Sequence, residues 1–379
     1  MTHALPPQVR RGREELIRRV RRLDDPGEVF AEASRRLRRL VPHDSAGWGA
    51  TDPGTGLPVA PTRMINIGEA EPDECVGFWR REYEVEDVNR FQDLARAEVP
   101  AAALRQIATD PEDSPRFREF LAPQGIDDEL RVVFRAGGHP WAIASLWRRR
   151  GQGPFTDEEI RLAASLSRPL GETLRSHSRH TGDRSTSHSP ERPGFLVFDR
   201  SASLVSVNEE ARAWLDELPA EKAVPSDLGV DVPLWMMATV FRARAHANQP
   251  DFATARARVR TRRSIWLVCH GSVLRDQRGA VSNIALMIEP AKAADVAPIV
   301  VQAYDLSDRE QEITRLIARG ASTGEIADRL YLSPHTVRDH VKAIFQKVRV
   351  SSRGELVGKL FADHYWPEHD RDVVRVEEP

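Results

Sequence analysis

Between Leu306 and Phe361, apolar residues recur every three to four positions in four short runs, each with its own start and stop signals. Ile313, Leu316 and Ile317 give the first run an apolar face. Ser307 and Glu310 precede it as a capping box, in which each side chain satisfies an orphan backbone N–H. Gly320 ends it, because glycine takes the left-handed conformation of a helix C-terminus without steric cost. Ser322 with Glu325 repeats the pattern ahead of Ile326, Ala327 and Leu330. Tyr331, Leu332 and Ser333 make a tight turn, and Pro334 suits a first helical position, where its missing N–H would be unpaired anyway. Val337, Val341, Ile344, Phe345 and Val348 carry the third stripe. Ser352 with Glu355 opens a fourth helix bearing Leu356, Val357, Leu360 and Phe361.

Upstream the period alternates between helix and strand. Residues 9–23 and 26–40 predict two helices, the first with a solvated face of arginine pairs and the second burying Val29, Phe30, Ala33, Leu37 and Leu40. Strand-like runs at 45–51 and 63–67 flank a Pro/Gly turn at 52–58, and helical patterns follow at 72–84, 87–95, 99–108 and 114–121. Residues 130–135 and 141–148 predict a hairpin across Gly137 and Gly138, and 156–175 one long amphipathic helix. Residues 178–193 hold no large apolar side chain and predict a linker. Then come strands at 194–198 and 204–207, helices at 208–218 and 233–247, and strands at 252–260, 264–274 and 280–289. The predicted fold class is multidomain: an α+β domain over 1–177, the linker 178–193, a second α+β domain over 194–290, a bridge over 291–302, an all-α four-helix domain over 303–365 and a tail over 366–379.

Two short helices joined by a tight turn, the second longer and basic, predict a helix-turn-helix. The face of that second helix opposite the valines carries His335, Thr336, Arg338, Asp339, Lys342 and Gln346, and residues 334–353 hold five Lys/Arg against one Asp. A small bundle with a solvated charged face is the plain alternative; four cap signals and a one-sided basic helix argue against it. Leu306-Ser307-x-Arg309-Glu310-x-Glu312-Ile313, Gly320-x-Ser322-x-x-Glu325-Ile326-Ala327, Leu332-Ser333-x-x-Thr336-Val337-x-x-His340-Val341-x-x-Ile344 and Lys347-Val348-x-Val350-x-Ser352-Arg353 together resemble the DNA-binding domain of the LuxR family of transcription regulators. The resemblance implies a four-helix domain whose third helix, about 334–348, reads the major groove, usually as a dimer. The candidate DNA-contacting residues are Ser333, His335, Thr336, Arg338, Asp339, Lys342, Gln346, Lys347 and Arg353. Arg338 and Lys342 fall where that family has basic residues against bases or phosphates, and Lys347 is expected on phosphate. Asp339 stands at a position often apolar in the family; an acid there accepts from cytosine N4 or pairs with Arg338. Gly324 replaces the family's common alanine, a difference of about 1 kcal/mol in helix propensity.

The order of elements in 1–177 resembles a GAF sensor domain, with Asp52-Pro53-Gly54-Thr55-Gly56 as the turn after its first strand. That resemblance implies a small-molecule pocket or a protein-signal surface. Trp48, Cys75, Trp79 and Trp147 are either its lining or plain core. Residues 194–290 resemble a PAS domain, with Asn208-Glu209-Glu210-Ala211 as its asparagine-containing helix start.

Composition narrows the function. The chain has 379 residues and a formal net charge of −2, so any affinity for nucleic acid is local. Only five of its 55 basic residues are lysine, and such arginine excess reads as a compositional habit, not as a DNA patch. The two cysteines stand in no metal or redox spacing, the N-terminus lacks a signal-peptide core, and no apolar run approaches a membrane span, which together predict a cytoplasmic protein. No phosphate-binding loop, zinc-protease motif or receiver-type aspartate cluster occurs. Gly320-x-Ser322-x-Gly324 matches a nucleophile elbow, but a helix, not a strand, precedes it. His270 in a predicted strand reads as an ordinary histidine, not a haem ligand. The expectation is a sequence-specific transcription regulator, not an enzyme, with no cofactor or metal. Its expected partners are double-stranded DNA, RNA polymerase, a second copy of itself and an unidentified small-molecule effector. The alternatives are a signalling protein or enzyme whose helical C-terminal domain does not bind DNA, or a sigma-factor-like promoter-recognition protein.

Overall fold

The computed structural model describes residues 6–66, 72–108, 110–178, 192–248, 254–292, 295–296, 299, 302–304 and 306–359. Most of the predicted linker, the tail and the fourth-helix residues Leu360 and Phe361 lie outside them. The chain divides into two compact units, meeting in sequence at Pro290 and Ala291.

In the first unit, α1 (Pro7–Val20) and α2 (Pro26–Leu40) bury Leu16, Val20, Phe30 and Leu37. Asp25 opens α2 by accepting from the Glu28 N–H at 2.8 Å. There follow β1 (Ser45–Thr51), β2 (Pro58–Ile65), α3 (Pro72–Glu84), α4 (Phe91–Leu94), β3 (Ala101–Ala103), α5 (Leu104–Ile107), β4 (Ile126–Ala136), β5 (His139–Arg149), α6 (Asp157–Ser165) and α7 (Ser167–His177). The strands form an antiparallel sheet in the order β2-β1-β5-β4-β3. Three helical expectations change here. The segment 99–108 is a strand and one helical turn, because Ala101 to Ala103 pair with Val132 to Leu130. The expected helix at 114–121 is a single π-turn, Phe117–Leu121. The long helix 156–175 is two helices: Pro169 has no N–H for the carbonyl of Ser165, which instead accepts from Arg13 at 2.8 Å. Gly171 lets α7 lie on β4, where a Cβ would sit 2.5 Å from the Arg135 backbone.

The second half of this unit runs β6 (Gly194–Phe198), β7 (Leu204–Val207), α8 (Glu209–Glu217), β8 (Ala223–Pro225), β9 (Asp231–Pro233), α9 (Leu234–Asn248), β10 (Arg256–Arg260), β11 (Trp266–Arg275) and β12 (Val281–Pro290). Asn208 caps α8, its Oδ1 accepting from the N–H of Ala211 at 3.0 Å and of Phe195 at 2.7 Å. The sheet order is β10-β11-β12-β6-β7, with β8 and β9 a separate two-stranded ladder that the apolar pattern does not predict. Numbered from its own first strand, each five-stranded sheet reads second, first, fifth, fourth, third. The two halves share one apolar core, reaching from Trp79 and Tyr83 through Trp235 and Phe241 to Leu286. Buried Asp52 receives Arg258 through Nε at 2.7 Å and Nη2 at 2.6 Å, so a turn of the first half is tied to a strand of the second.

The second unit contains α10 (Asp308–Ala318), α11 (Thr323–Leu330), α12 (Pro334–Val348) and α13 (Arg353–Val357). Ile313, Ile326, Val337, Ile344, Val348 and Leu356 are fully or almost fully buried between them.

Candidate nucleic-acid interface

The second unit is built by local bonds. Glu310 Oε2 accepts the Ser307 N–H at 2.7 Å while Ser307 Oγ accepts the Glu310 N–H at 3.3 Å, and Ser322 and Glu325 repeat the exchange at 2.7 and 3.2 Å. Ser322 is therefore a helix cap, the use its sequence context predicts. At Gly320 (φ +82°) the chain leaves α10 with Ala321 N–H bonded to Leu316 O at 3.0 Å and Gly320 N–H to Ile317 O at 2.9 Å. The turn into α12 pivots on Tyr331, which holds a left-handed φ of 53° and is 96% exposed. A non-glycine residue there costs of the order of 1 kcal/mol. Ser333 then caps α12, its Oγ accepting the Thr336 N–H at 3.1 Å.

Helix α12 has two distinct faces. Val337, Ile344 and Val348 are buried, with Val341 and Phe345 half-buried beside them. His335, Arg338, Asp339, Lys342 and Gln346 are exposed on the other side, with Thr336 half-buried at their start. His335 Nδ1 lies 3.0 Å from Asp339 Oδ2, so the acid is next to the histidine one turn back. Arg338 Nε donates to Pro334 O at 3.2 Å, leaving the guanidinium along its own helix.

Lys347 and Arg353 are differently placed. Lys347 Nζ donates to Glu310 Oε2 at 2.6 Å. Burial alone would raise that carboxyl, but the bonds from Lys347 and Ser307 hold it below the ordinary glutamate range. Arg353 donates to Ala321 O at 2.8 Å and to Thr323 Oγ1 at 2.9 Å, fastening α13 to the turn between α10 and α11. Arg309, not among the candidate residues, donates to Leu330 O at 2.9 Å and ties α10 to the last turn of α11. It stands in the first motif string, where only its neighbours in sequence could suggest a role.

The front-unit candidates separate as well. Trp79 and Trp147 line a cavity of about 320 Å³ on one face of the first sheet. Trp48 borders it, but its ring lies on the opposite face, stacked 5.9 Å from Phe30 and 5.2 Å from Phe134. Cys75 falls in α3, with its side chain outside the described residues. Cys269 is fully buried in β11, and burial pushes its thiol up to about 12. His270 is half-buried in β11, in register with Arg256 and Met287. Among the described residues no helix is long and apolar enough to cross a membrane.

Residues 305–360 match the family described as bacterial regulatory proteins, luxR family. The probable transcriptional regulatory protein NarL of Mycobacterium tuberculosis is 41% identical over 68 residues, 18% of this chain and 29% of that protein. The oxygen regulatory protein NreC of Staphylococcus carnosus is 48% identical over 52 residues, covering 14% and 24%. This chain thus spans 29% or less of the length of these two relatives. Among solved structures, Escherichia coli SdiA is similar over 93% of this chain and 98% of that one, at 12% identity and a TM-score of 0.32. The second unit carries a luxR-type helix-turn-helix domain.

Proposed function

We propose that the protein is a sequence-specific DNA-binding transcription regulator in which α12 enters the major groove and the first unit gates that contact. The carrying observation is the exposed face of α12, from His335 to Gln346, set on a helix whose other side is buried. A major groove about 12 Å wide admits one α-helix. Arg338 reads guanine O6 and N7, Asp339 accepts from cytosine N4, Gln346 reaches a base or phosphate, and Lys342 neutralises phosphate. Ser333 and Thr336 present the helix N-terminus to the backbone. Lys347 and Arg353 act chiefly as ties that hold α12 and α13 at the correct angle. The names of the relatives, transcriptional and oxygen regulatory proteins, support the reading.

GAF-like and PAS-like identities for the two halves of the first unit are supported by the shared strand order and the flanking helices. The protein works in the cytoplasm as a homodimer on paired half-sites, with RNA polymerase as its downstream partner. An effector held in the first unit shifts DNA affinity, and DNA shifts effector affinity by the same factor.

The test is selection from a random duplex pool with the full-length protein. Enrichment of a defined motif that an Arg338→Ala, Lys342→Ala variant fails to enrich is the expected result. Equal, unstructured retention by both proteins would reject the reading.

A further inference from the structure

The turn between α11 and α12 holds a side chain that its backbone disfavours. Among the described residues, six that are not glycine have a positive φ. Four of them, Asn66, Asn89, Ala202 and Ser264, have short side chains, and asparagine tolerates the left-handed region through local hydrogen bonds. The two long ones, Tyr331 (φ 53°) and Arg349 (φ 58°), are the C-cap residues of α11 and α12. Glycine would stand at either cap without steric cost. Arginine is ordinarily exposed, so Arg349 is unusual only in its backbone. Tyr331 is unusual twice. Its ring is almost wholly in water, whereas the other exposed large apolar side chains among the described residues reach at most 53%. A left-handed backbone under a bulky side chain and an aromatic ring left in solvent are both costs, and both fall on one residue.

The turn itself is fixed. The N–H groups of Tyr331 and Leu332 both bond to Ala327 O, the second at 2.9 Å. Leu330 is buried, and its carbonyl accepts from Arg309 at 2.9 Å. Two residues past Tyr331, Ser333 caps α12. The ring therefore projects from a backbone held on both sides, and only its two side-chain torsions remain to be ordered on binding.

In a helix-turn-helix the second helix lies in the major groove, its N-terminal residues on base edges, while the first crosses the phosphate backbone. A residue joining the two stands at the rim of the groove, beside phosphates. We infer that Tyr331 is a DNA-backbone contact whose phenolic O–H donates to a phosphate oxygen at the edge of the groove that α12 enters. The contact rests on the DNA-binding reading above and lies outside the reading face from His335 to Gln346. Tyrosine is among the side chains that reach phosphate oxygens, and a bond to an ionised acceptor is stronger than a neutral one. An uncharged donor releases no counterion, so this contact differs from a lysine or arginine contact in its salt dependence.

The experiment measures the anisotropy of labelled duplexes, one with the selected motif and one scrambled, across a salt series. Full-length wild type, Tyr331→Phe and Tyr331→Gly are titrated, and each is also unfolded in urea. Tyr331→Phe keeps the ring and the backbone preference and deletes only the O–H. It is expected to bind both duplexes about tenfold more weakly, with the wild-type salt slope. Tyr331→Gly is expected to lose at least as much affinity while its urea midpoint is no lower than wild type, since glycine accepts the left-handed backbone. Lost affinity caused by a loosened fold would instead come with a lower midpoint; if the glycine variant shows one, the phenylalanine variant decides. Full affinity in Tyr331→Phe, a loss confined to the selected duplex, or a flattened salt slope would each overturn the inference. Full affinity in Tyr331→Gly as well would turn the exposed ring toward a protein partner instead. Wild-type protein that binds neither duplex would overturn the DNA-binding reading itself, and this contact with it.

Discussion

Lys347 Nζ and the Ser307 N–H converge on one oxygen, Glu310 Oε2, at 2.6 and 2.7 Å. The last turn of α12 is thereby bonded to the first turn of α10. Lys347→Met should lower the stability of the second unit by roughly 1 kcal/mol, discounted for a half-exposed ammonium. It should leave the salt dependence of binding to random DNA almost unchanged. Urea unfolding and a salt titration measure the two; unaltered stability with a flatter salt slope would return Lys347 to the phosphate-binding set. The lowered Glu310 carboxyl gives the sign with pH: its contribution is present above the unfolded glutamate value and fades as pH falls through the folded one.

Among the described residues Arg338 is exposed and bonds only along its own helix, so removing it should harm readout without harming the fold. Arg338→Ala is expected to reduce affinity for the selected duplex by about 1–3 kcal/mol and to relax preference at one base pair. Competition against single-base variants of the duplex checks this. An equal loss on every duplex would make Arg338 a phosphate contact.

Asp52 and Arg258 are 206 residues apart and form a buried, two-point ion pair. Asp52→Ala removes both of these bonds from the buried guanidinium, which should cost about 3–5 kcal/mol. Because the two sheets share a core, signals from Trp79 and Trp214 should shift together in thermal unfolding. Two separated transitions, only one of them moved, would mean that the halves unfold independently.

Glu221 accepts from the Thr62 N–H at 2.7 Å and from Thr62 Oγ1 at 3.2 Å, and burial raises its carboxyl to about 7. The folded state then holds a proton that the unfolded state releases near pH 4.5. Stability of the first unit should therefore fall as pH rises from about 4.5 to 7, by of the order of 2 kcal/mol from this group. Glu221→Gln should remove that slope. A wild-type stability that rises over the same interval by this amount and is unchanged in the variant would contradict it.

The second unit is the part most legible in the sequence, because its decisive bonds are local. Ser307 with Glu310 and Ser322 with Glu325 are each three residues apart, and each pair forms in the structure. The fourth start differs in one detail: Glu355 accepts from Ser351, not from the N–H of Ser352. What the sequence hides is non-local. An alanine run reads as helix until Ala101 to Ala103 find β4. The split at Pro169 is the exception, a local break that the proline itself signals and the continuous apolar stripe conceals. Lys347 and Arg353 look like groove-facing cations, since nothing in their spacing reveals Glu310 or Ala321 as partners. Of the cavity, the sequence shows the tryptophans Trp79 and Trp147 but not the fold that brings them to one face.

The most direct measurement is the anisotropy of a labelled duplex carrying the selected motif, and of a scrambled one, titrated with full-length protein from low to physiological salt. The account predicts that the logarithm of affinity falls linearly with the logarithm of salt for both duplexes, with the selected one bound about 10³-fold or more tighter at physiological salt. Identical affinities for the two duplexes, or no binding to either, would contradict it.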